Sequence, residues 1–189
     1  MYDEKGNKMN LQRAIEIAID AHKGTYDKAG NLYILHPMRV MLSLETEDEM
    51  IVGVLHDVVE DCPPWSFEAL AAEGFSETVI EALKSVTKHS DDRDYMAFIE
   101  RSKSNPVGRK VKLADINDNL NVNRLHAVTA RDAERLSKYL KAKGFLKSEP
   151  VRLDLLSIWQ RAEERSVEPL TDFEENLLKR YREKYPSQE

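Results

Sequence analysis

Four side chains with metal-binding or acid–base chemistry stand close together in this chain, in the order His56, Asp57, Glu60 and Asp61. The residues around them, 49–60, are apolar nearly all round, which is typical of a buried central helix. On one continuous helix, positions four apart share a face, so the imidazole and the three carboxylates would form one patch. Burying that many acids without a cation costs desolvation and mutual repulsion. The pattern therefore indicates a bound divalent metal, with an exposed acidic stripe near a helix end as the alternative.

Two residues elsewhere in the chain complete a set of metal ligands. His36 precedes Pro37 at the start of a predicted helix, so a short helical hairpin can bring it to His56. Asp115 lies at the edge of an apolar run, and Asn119 shares its helix face. Taken singly, His36 can be an ordinary helix-starting histidine and Asp115 a solvated or capping residue. Together the two imidazoles and two carboxylates form a mixed nitrogen and oxygen set suited to manganese, iron or zinc.

Helical apolar spacing runs through almost the whole sequence, and no stretch alternates cleanly between apolar and polar residues as a strand would. We therefore predict an all-α fold in a single domain. Residues 24–35 interrupt the pattern around Gly24 and Gly30 and are typical of a loop. After residue 131, mixed charges such as the pair Glu134–Lys138 are typical of exposed, salt-bridged helices. The predicted helices cover 10–23, a segment from His36–Pro37, 49–60, 66–73, 76–87, 93–103, 107–121, 131–143, 149–165 and 171–184.

Composition limits the partners of the chain. Its 189 residues carry 28 basic and 34 acidic side chains, a net charge of -6, and the acidic excess lies before residue 131. An acidic surface without a basic stripe disfavours nucleic-acid binding, although local lysines can still meet a small anionic substrate.

No apolar run is long enough for a membrane span, and the N-terminus lacks the apolar centre of a signal peptide. The single cysteine, Cys62, fits a reducing cytoplasm, which is the predicted location.

Five ordered motif blocks, spread over roughly residues 9–125, resemble the HD-domain phosphohydrolases. The resemblance is closest to the hydrolase domain of the RelA/SpoT family and its small stand-alone relatives, the Mesh-like alarmone hydrolases. The blocks are Ala21-His22-Lys23-Gly24, Tyr33-Ile34-Leu35-His36-Pro37, Val54-Leu55-His56-Asp57-Val58-Val59-Glu60-Asp61, Val86-Thr87-Lys88, and Lys112-Leu113-Ala114-Asp115 with Asn119.

The resemblance implies an HD-domain helical bundle, with C-terminal helices of about 131–184 packed on the core of about 9–125, and a specific chemistry. One divalent metal, manganese before iron, zinc or magnesium, would make water reactive enough to attack phosphorus. The substrate would be a small phosphorylated nucleotide, most simply guanosine tetraphosphate or pentaphosphate losing its 3′ pyrophosphate, and a homo-oligomer is possible. The implied metal ligands are His36, His56, Asp57 and Asp115. The implied acid–base residues, which would orient water and move its proton, are Glu60 and Asp61. The implied substrate contacts are Lys28, Lys88 and Asn119.

The sequence departs from the family pattern near the substrate. Asp27 stands where the alarmone hydrolases usually carry an arginine that stacks on guanine, and Ile116 and Asp118 stand where they favour arginine and histidine. An acid at Asp118 would repel a polyphosphate unless it faces away or binds a cation. Cys62 replaces the usual threonine. Two alternatives therefore stay open: a phosphatase acting on another nucleotide, such as a 5′-nucleotidase-like or NADPH-phosphatase-like enzyme, and a non-catalytic HD module that binds a nucleotide.

Overall fold

The computed structural model of this chain describes residues 11–89, 92–124, 127–148 and Lys179. The chain divides into two compact units, Met1–Lys147 and Ser148–Glu189. Apart from Lys179, the predicted helices 149–165 and 171–184 lie outside the described residues. The single-domain arrangement of residues 1–189 therefore stays a prediction.

The all-α prediction is confirmed. Within the described ranges the β pairing is a single antiparallel bridge, between Tyr26 and Leu32 in the predicted loop. None of the helices in this part of the chain combines the length and the apolar character that crossing a membrane requires. The helices are α1 (Leu11–Ala21), α2 (Leu35–Leu42), α3 (Glu47–Leu55), α4 (Val58–Asp61), α5 (Phe67–Glu73), α6 (Glu77–Val86), α7 (Tyr95–Ser104), α8 (Pro106–Asn119) and α9 (Ala130–Lys147), with a 3₁₀ turn at Val122–Arg124.

Polar side chains fix where most of these helices begin. Five N-cap residues each accept a hydrogen bond from a backbone N–H in the first turn, which would otherwise have no partner. Thr46 forms a full capping box with Glu49 at the start of α3. The N-caps are Thr46, Ser66, Ser76, Asp94 and Asn105.

Helix α3 is the centre of the fold, as its apolar sequence predicts. It packs against α1, α2, α6 and α8, and its residues 51–55 are all buried. Gly53 allows α2 to approach closely, because a Cβ there would lie 2.6 Å from Leu44 Cδ1 and 3.3 Å from Met41 Cα. The close packing of α2 on α3 brings the first turn of α2, which contains His36, to the C-terminal end of α3.

The prediction of one helix over 49–60 is wrong. Helix α3 ends at Leu55, His56 and Asp57 form a turn, and α4 begins at Val58. The carbonyl of Gly53 accepts a hydrogen bond of 2.7 Å from His56 Nδ1, which competes with the Asp57 N–H that it would accept in a continuous helix. The predicted patch is therefore not one helical face.

Helix α9 docks on α7 and α8 through a second apolar cluster. Ala142 and Leu146 of α9 are fully buried there against Phe98, Ile99 and Ile116. The sequence predicts that the C-terminal helices pack on the core, but its mixed charges do not indicate which side of α9 is buried. This contact places the N-terminal half of α9 beside the predicted metal ligands.

Candidate metal centre and its cavity

Two imidazoles meet at the junction of α2 and α3. The rings of His36 and His56 are buried, and their centroids lie 5.3 Å apart. His56 Nδ1 lies 2.7 Å from the carbonyl oxygen of Gly53, and His36 Nδ1 lies 2.6 Å from Asp118 Oδ2. Both partners are acceptors, so each Nδ1 carries the hydrogen, and in the neutral ring each Nε2 presents its lone pair. The predicted hairpin thus brings the two Nε2 atoms into one site.

Two carboxylates face the same pair of nitrogens. Asp115 Oδ1 lies 3.3 Å from His36 Nε2 and 3.8 Å from His56 Nε2. Asp57 Oδ2 lies 3.1 Å from His56 Nε2 and 3.8 Å from His36 Nε2. The ligand atoms of His36, His56 and Asp115 all lie within 4.8 Å of one another. The structure therefore brings the four residues predicted as metal ligands together.

The donor set fits a divalent cation. His56 Nε2 is buried and makes no hydrogen bond to any described residue, because its 3.1 Å approach to Asp57 Oδ2 lacks hydrogen-bond geometry. A buried lone pair without a donor is unfavourable unless another group meets it. Ligand atoms 3 to 4 Å apart match an ion with bonds of about 2.0–2.2 Å to nitrogen and oxygen.

Neighbouring side chains hold both carboxylates in place. Tyr33 Oη donates a hydrogen bond of 2.6 Å to Asp57 Oδ2. Lys112 Nζ donates to Asp115 Oδ2 at 2.8 Å, and Asn119 Nδ2 donates to Asp115 Oδ1 at 2.6 Å. Asn119, predicted to contact substrate, therefore also orients a predicted metal ligand. Tyr33 and Lys112 lie in the motif blocks, but neither is among the predicted site residues.

Burial and neighbouring charges shift the pKa values of His36, His56 and Asp115. Burial lowers the pKa of His36, but the carboxylates of Asp115 and Asp118 outweigh it and raise the pKa to about 9. Burial likewise opposes a charge on His56, yet Asp57 raises its pKa overall. For Asp115, the nearby Lys112 ammonium overcomes the effect of burial and holds the pKa well below its usual range. Positive charge at this point is strongly favoured, which suits a cation.

The two predicted acid–base residues are both exposed and lie on α4, just after the turn. Glu60 Oε2 accepts the backbone N–H of Lys88 at 2.9 Å and lines the cavity described below. Asp61 is not among the described lining residues. Partial burial, followed by the negative charges of Asp57 and Glu60, raises the pKa of Asp61. Helix α4 thus places Glu60 on the cavity wall, next in sequence to Asp61.

A cavity of about 460 Å³ opens onto three of the predicted metal ligands, His36, Asp57 and Asp115. This volume falls within the range of about 300–1,000 Å³ that small-molecule sites occupy. The three predicted substrate contacts, Lys28, Lys88 and Asn119, all line it. Its described lining also includes the aromatic side chains Tyr26, Tyr33, Tyr95, Phe98 and Tyr139.

Sequence reasoning missed the contribution of α9 to this cavity. Arg135, Lys138 and Tyr139 all line it. Lys138 Nζ lies 4.3 Å from the centre of the Tyr95 ring, and an Arg135 nitrogen lies 3.4 Å from Asp132. The spacing of these residues resembles that of an ordinary charged helix, and only the docking of α9 on α7 and α8 brings them to the site.

The two acidic residues that depart from the family pattern, Asp27 and Asp118, lie in different places relative to the cavity. Asp27 lines the cavity, but its Oδ1 accepts backbone N–H groups of Ala29 and Asn31, each at 2.9 Å, within its own loop. Asp118 is not among the described residues that line this cavity; it lies behind His36 and forms an ion pair with Arg39. The expected repulsion between Asp118 and a polyphosphate is therefore relieved, because the carboxylate faces away.

A helical domain with a His–Asp pair at a bend between two helices is the arrangement of an HD-domain bundle. No family model matches the chain. A solved structure described as a metazoan ortholog of SpoT that hydrolyzes ppGpp has the same fold, with a TM-score of 0.60 and 22% identity over 77% of this chain and 89% of that one. The predicted HD-domain fold is confirmed.

Curated proteins of the same kind are also similar to this chain in sequence. The guanosine-3′,5′-bis(diphosphate) 3′-pyrophosphohydrolase of Spiroplasma citri is 32% identical over 144 residues, which cover 74% of this chain and 18% of that protein. The protein of the same name from Borreliella burgdorferi is 33% identical over 94 residues, 48% of this chain and 14% of that protein. The chain thus spans less than a fifth of the length of these relatives. The predicted resemblance to the RelA/SpoT hydrolase domain is confirmed.

Proposed function

We propose that this chain is a metal-dependent phosphohydrolase that removes the 3′ pyrophosphate from guanosine tetraphosphate or pentaphosphate. The observation that carries the proposal is the convergence of His36, His56, Asp57 and Asp115 beside a cavity of nucleotide size. The names of the curated relatives support this choice of substrate.

The proposed cofactor is one divalent metal held by the two Nε2 atoms and by carboxylate oxygens of Asp57 and Asp115. We propose manganese, with iron, zinc and magnesium as alternatives, because a mixed imidazole and carboxylate set suits these ions. When bound, such an ion would act as a Lewis acid and would lower the pKa of a water molecule in the site. Tyr33, Lys112 and Asn119 would hold the carboxylates in position for it.

Glu60 and Asp61 are the proposed acid–base residues. Hydrolysis breaks the bond between phosphorus and the ribose 3′ oxygen, so a proton must leave the attacking water and another must reach the departing oxygen. Glu60 borders the cavity and can orient the water. The raised pKa of Asp61 makes this carboxyl better able to hold a proton near neutral pH than an ordinary aspartate.

Positive charge on the cavity wall would bind the phosphates of the substrate. Lys28 and Lys88 border the cavity, as do Arg135 and Lys138 of α9. These four basic side chains border one cavity, although the chain as a whole carries a net charge of -6. A small anionic nucleotide therefore fits the cavity better than a long nucleic acid, which would require a continuous basic surface. We further propose a cytoplasmic location, and a homo-oligomer stays possible.

One observation favours a second candidate substrate. Asp27 replaces an arginine expected to stack on guanine, and its carboxylate is tied to the backbone of its own loop. Contact with the base would then depend on aromatic rings such as Tyr26 and Tyr139, which accept any base. Another phosphorylated nucleotide is therefore the alternative substrate for the same centre.

Product release tests the proposal. The full chain with Mn²⁺ should release pyrophosphate from guanosine tetraphosphate faster than phosphate from other nucleotides, and His56→Gln should abolish turnover. Arg13→Gln is a matched control, because Arg13 pairs with Glu73 away from the cavity. Equal or faster turnover of another nucleotide would favour the second candidate. Tight nucleotide binding without product in the presence of metal would favour the non-catalytic module.

A further inference from the structure

Asp118 has a role that its place in the sequence does not suggest. It lies in the last turn of α8, three residues after Asp115, and its side chain is nearly buried. Its carboxylate faces α2, where it contacts His36 and Arg39. It lines a second cavity, of about 360 Å³, together with Arg39 and Lys110. His36 lines the first cavity, so its ring has Asp118 on one side and the candidate metal centre on the other.

The contacts of Asp118 fix its carboxylate in two directions. Oδ2 lies 2.6 Å from His36 Nδ1. Arg39 Nε donates to Oδ1 at 2.7 Å, and Arg39 Nη2 donates to Oδ2 at 3.0 Å. A two-pronged guanidinium–carboxylate pair has a defined geometry, so Asp118 cannot rotate freely about its side-chain bonds. The carboxylate is therefore a rigid acceptor for the imidazole.

This acceptor determines which nitrogen of His36 is available. Because Nδ1 must carry the hydrogen that it donates to Asp118, the lone pair belongs to Nε2 in the neutral ring. The same bond sets the rotation of the ring and directs Nε2 toward Asp115 Oδ1, 3.3 Å away. His56 obtains the corresponding support from the carbonyl of Gly53. The carboxylate is the stronger acceptor of the two, because it is charged.

We propose that Asp118 is a positioning residue for the metal centre: held by Arg39, it orients His36 and fixes the tautomer that binds a divalent cation through Nε2. The inference rests on the proposed metal site. It assigns to Asp118 a function in metal affinity and none in contact with substrate. Residues that support a metal ligand in this way typically change metal affinity about 10- to 100-fold when they are removed.

Calorimetric titration of the metal-free full chain with Mn²⁺, without substrate, tests the inference. Asp118→Ala should weaken Mn²⁺ binding by about 10- to 100-fold. Asp118→Asn keeps an oxygen that can accept the Nδ1 hydrogen, so its loss should be smaller. Arg39→Met leaves the His36–Asp118 bond in place but frees the carboxylate, so it too should show a smaller loss than Asp118→Ala. Lys110→Met is the control: Lys110 lines the same second cavity but pairs with Glu49, so Mn²⁺ affinity should not change.

A purely structural role for Asp118 would give a different result. In that case Asp118→Ala would lower the unfolding temperature of the metal-free chain, and its Mn²⁺ affinity would stay within twofold of the wild type, which would overturn the inference. If Asp118→Ala does not fold, Asp118→Leu, which fills the site but cannot accept the Nδ1 hydrogen, decides in the same way. Because the titration contains no substrate, its result does not depend on whether the chain hydrolyses guanosine tetraphosphate. The inference about Asp118 and the proposed hydrolysis can therefore fail separately. A wild-type chain that binds no Mn²⁺ would overturn the metal site and this inference together.

Discussion

Tyr33 Oη donates a hydrogen bond of 2.6 Å to Oδ2 of Asp57, the same oxygen that faces the two imidazoles. Asp57 lies in the turn between α3 and α4, where no regular helix fixes its backbone. Tyr33 comes from the loop before α2. The Tyr33 hydroxyl therefore holds Asp57, a predicted metal ligand, although the two residues come from different loops of the chain.

We expect Tyr33→Phe to weaken Mn²⁺ binding about tenfold, because it removes this bond and keeps the ring. The value of kcat/KM at subsaturating metal should fall in parallel. Titration with Mn²⁺ and a rate assay at several metal concentrations measure both. Tyr26→Phe, whose side chain is exposed at the rim of the cavity, is the control and should keep the wild-type Mn²⁺ affinity. Unchanged affinity in Tyr33→Phe would show that Asp57 does not depend on this contact.

Gly53→Ala should destabilise the chain. A Cβ at this position would lie 2.6 Å from Leu44 Cδ1 and 3.3 Å from the backbone of Met41, so the Leu44 side chain must shift and α2 must give by a few tenths of an ångström. Overpacking costs about 1–3 kcal/mol, of which better helix propensity offsets about 1 kcal/mol, so we expect a net loss of up to about 2 kcal/mol. Urea unfolding measures the change.

Gly144→Ala is the matched control for this substitution. Gly144 lies within α9, and nothing would lie within 4 Å of a Cβ there. Alanine should then stabilise the chain by about 1 kcal/mol through helix propensity alone. The same sign of change at both glycines would contradict the close approach of α2 and α3.

Replacement of Lys138 should affect substrate affinity more than turnover. Lys138 borders the cavity, is not one of the predicted metal ligands, and lies over the Tyr95 ring. A charge-assisted hydrogen bond to phosphate contributes about 1.5–3 kcal/mol, so Lys138→Met should raise KM at least about tenfold with little change in kcat. Steady-state kinetics separate the two constants. Lys141→Met, one turn further along α9, should behave as wild type, and equal effects at both lysines would contradict a phosphate contact.

Glu49 should make the stability of the chain sensitive to acid. Burial alone would raise the pKa of Glu49, but the bond from Lys110 and the backbone N–H groups of Glu45 and Thr46 outweigh it and lower the pKa. The unfolded chain therefore binds this proton more readily than the folded chain. Its stabilisation is complete above the ordinary glutamate pKa, about 4.3, and is lost as the pH falls through the lower value of the folded state.

Glu49→Gln tests this dependence. Urea unfolding at pH 7 should show a loss of about 1 kcal/mol, and the difference from wild type should shrink as the pH falls below about 4. Lys110→Met should reproduce part of the loss at pH 7, because Glu49 would keep only its backbone donors. A difference between Glu49→Gln and wild type that is independent of pH would refute the assignment.

Local features of this structure were predictable from the sequence because local interactions determine them. The helices predicted over 66–73 and 76–87 match α5 and α6 closely, and Ser66 and Ser76 cap their first turns through local hydrogen bonds. Gly24 and Gly30 interrupt the pattern and both have positive φ in the loop. His36 could be paired with His56 because one hairpin of short helices is the simplest way to join their elements.

Features that depend on tertiary contacts were not predictable. Helix α3 ends at Leu55 because the side chain of His56 bonds back to Gly53, a contact that residue spacing alone does not reveal. The docking of Leu146 brings Lys138 to the cavity, although its surroundings in the sequence are those of a solvated helix. The sequence left open whether Asp118 repels a polyphosphate, faces away or binds a cation, because the direction of its side chain depends on Arg39 from another helix.

Anomalous diffraction from crystals soaked with Mn²⁺ measures the central feature of this account most directly. We predict one strong anomalous peak per chain, located between His36 Nε2, His56 Nε2 and Asp115 Oδ1, which is absent in crystals of His56→Gln. Crystals that show no peak there, or a peak that persists in His56→Gln, would contradict the proposal that these side chains hold the catalytic metal.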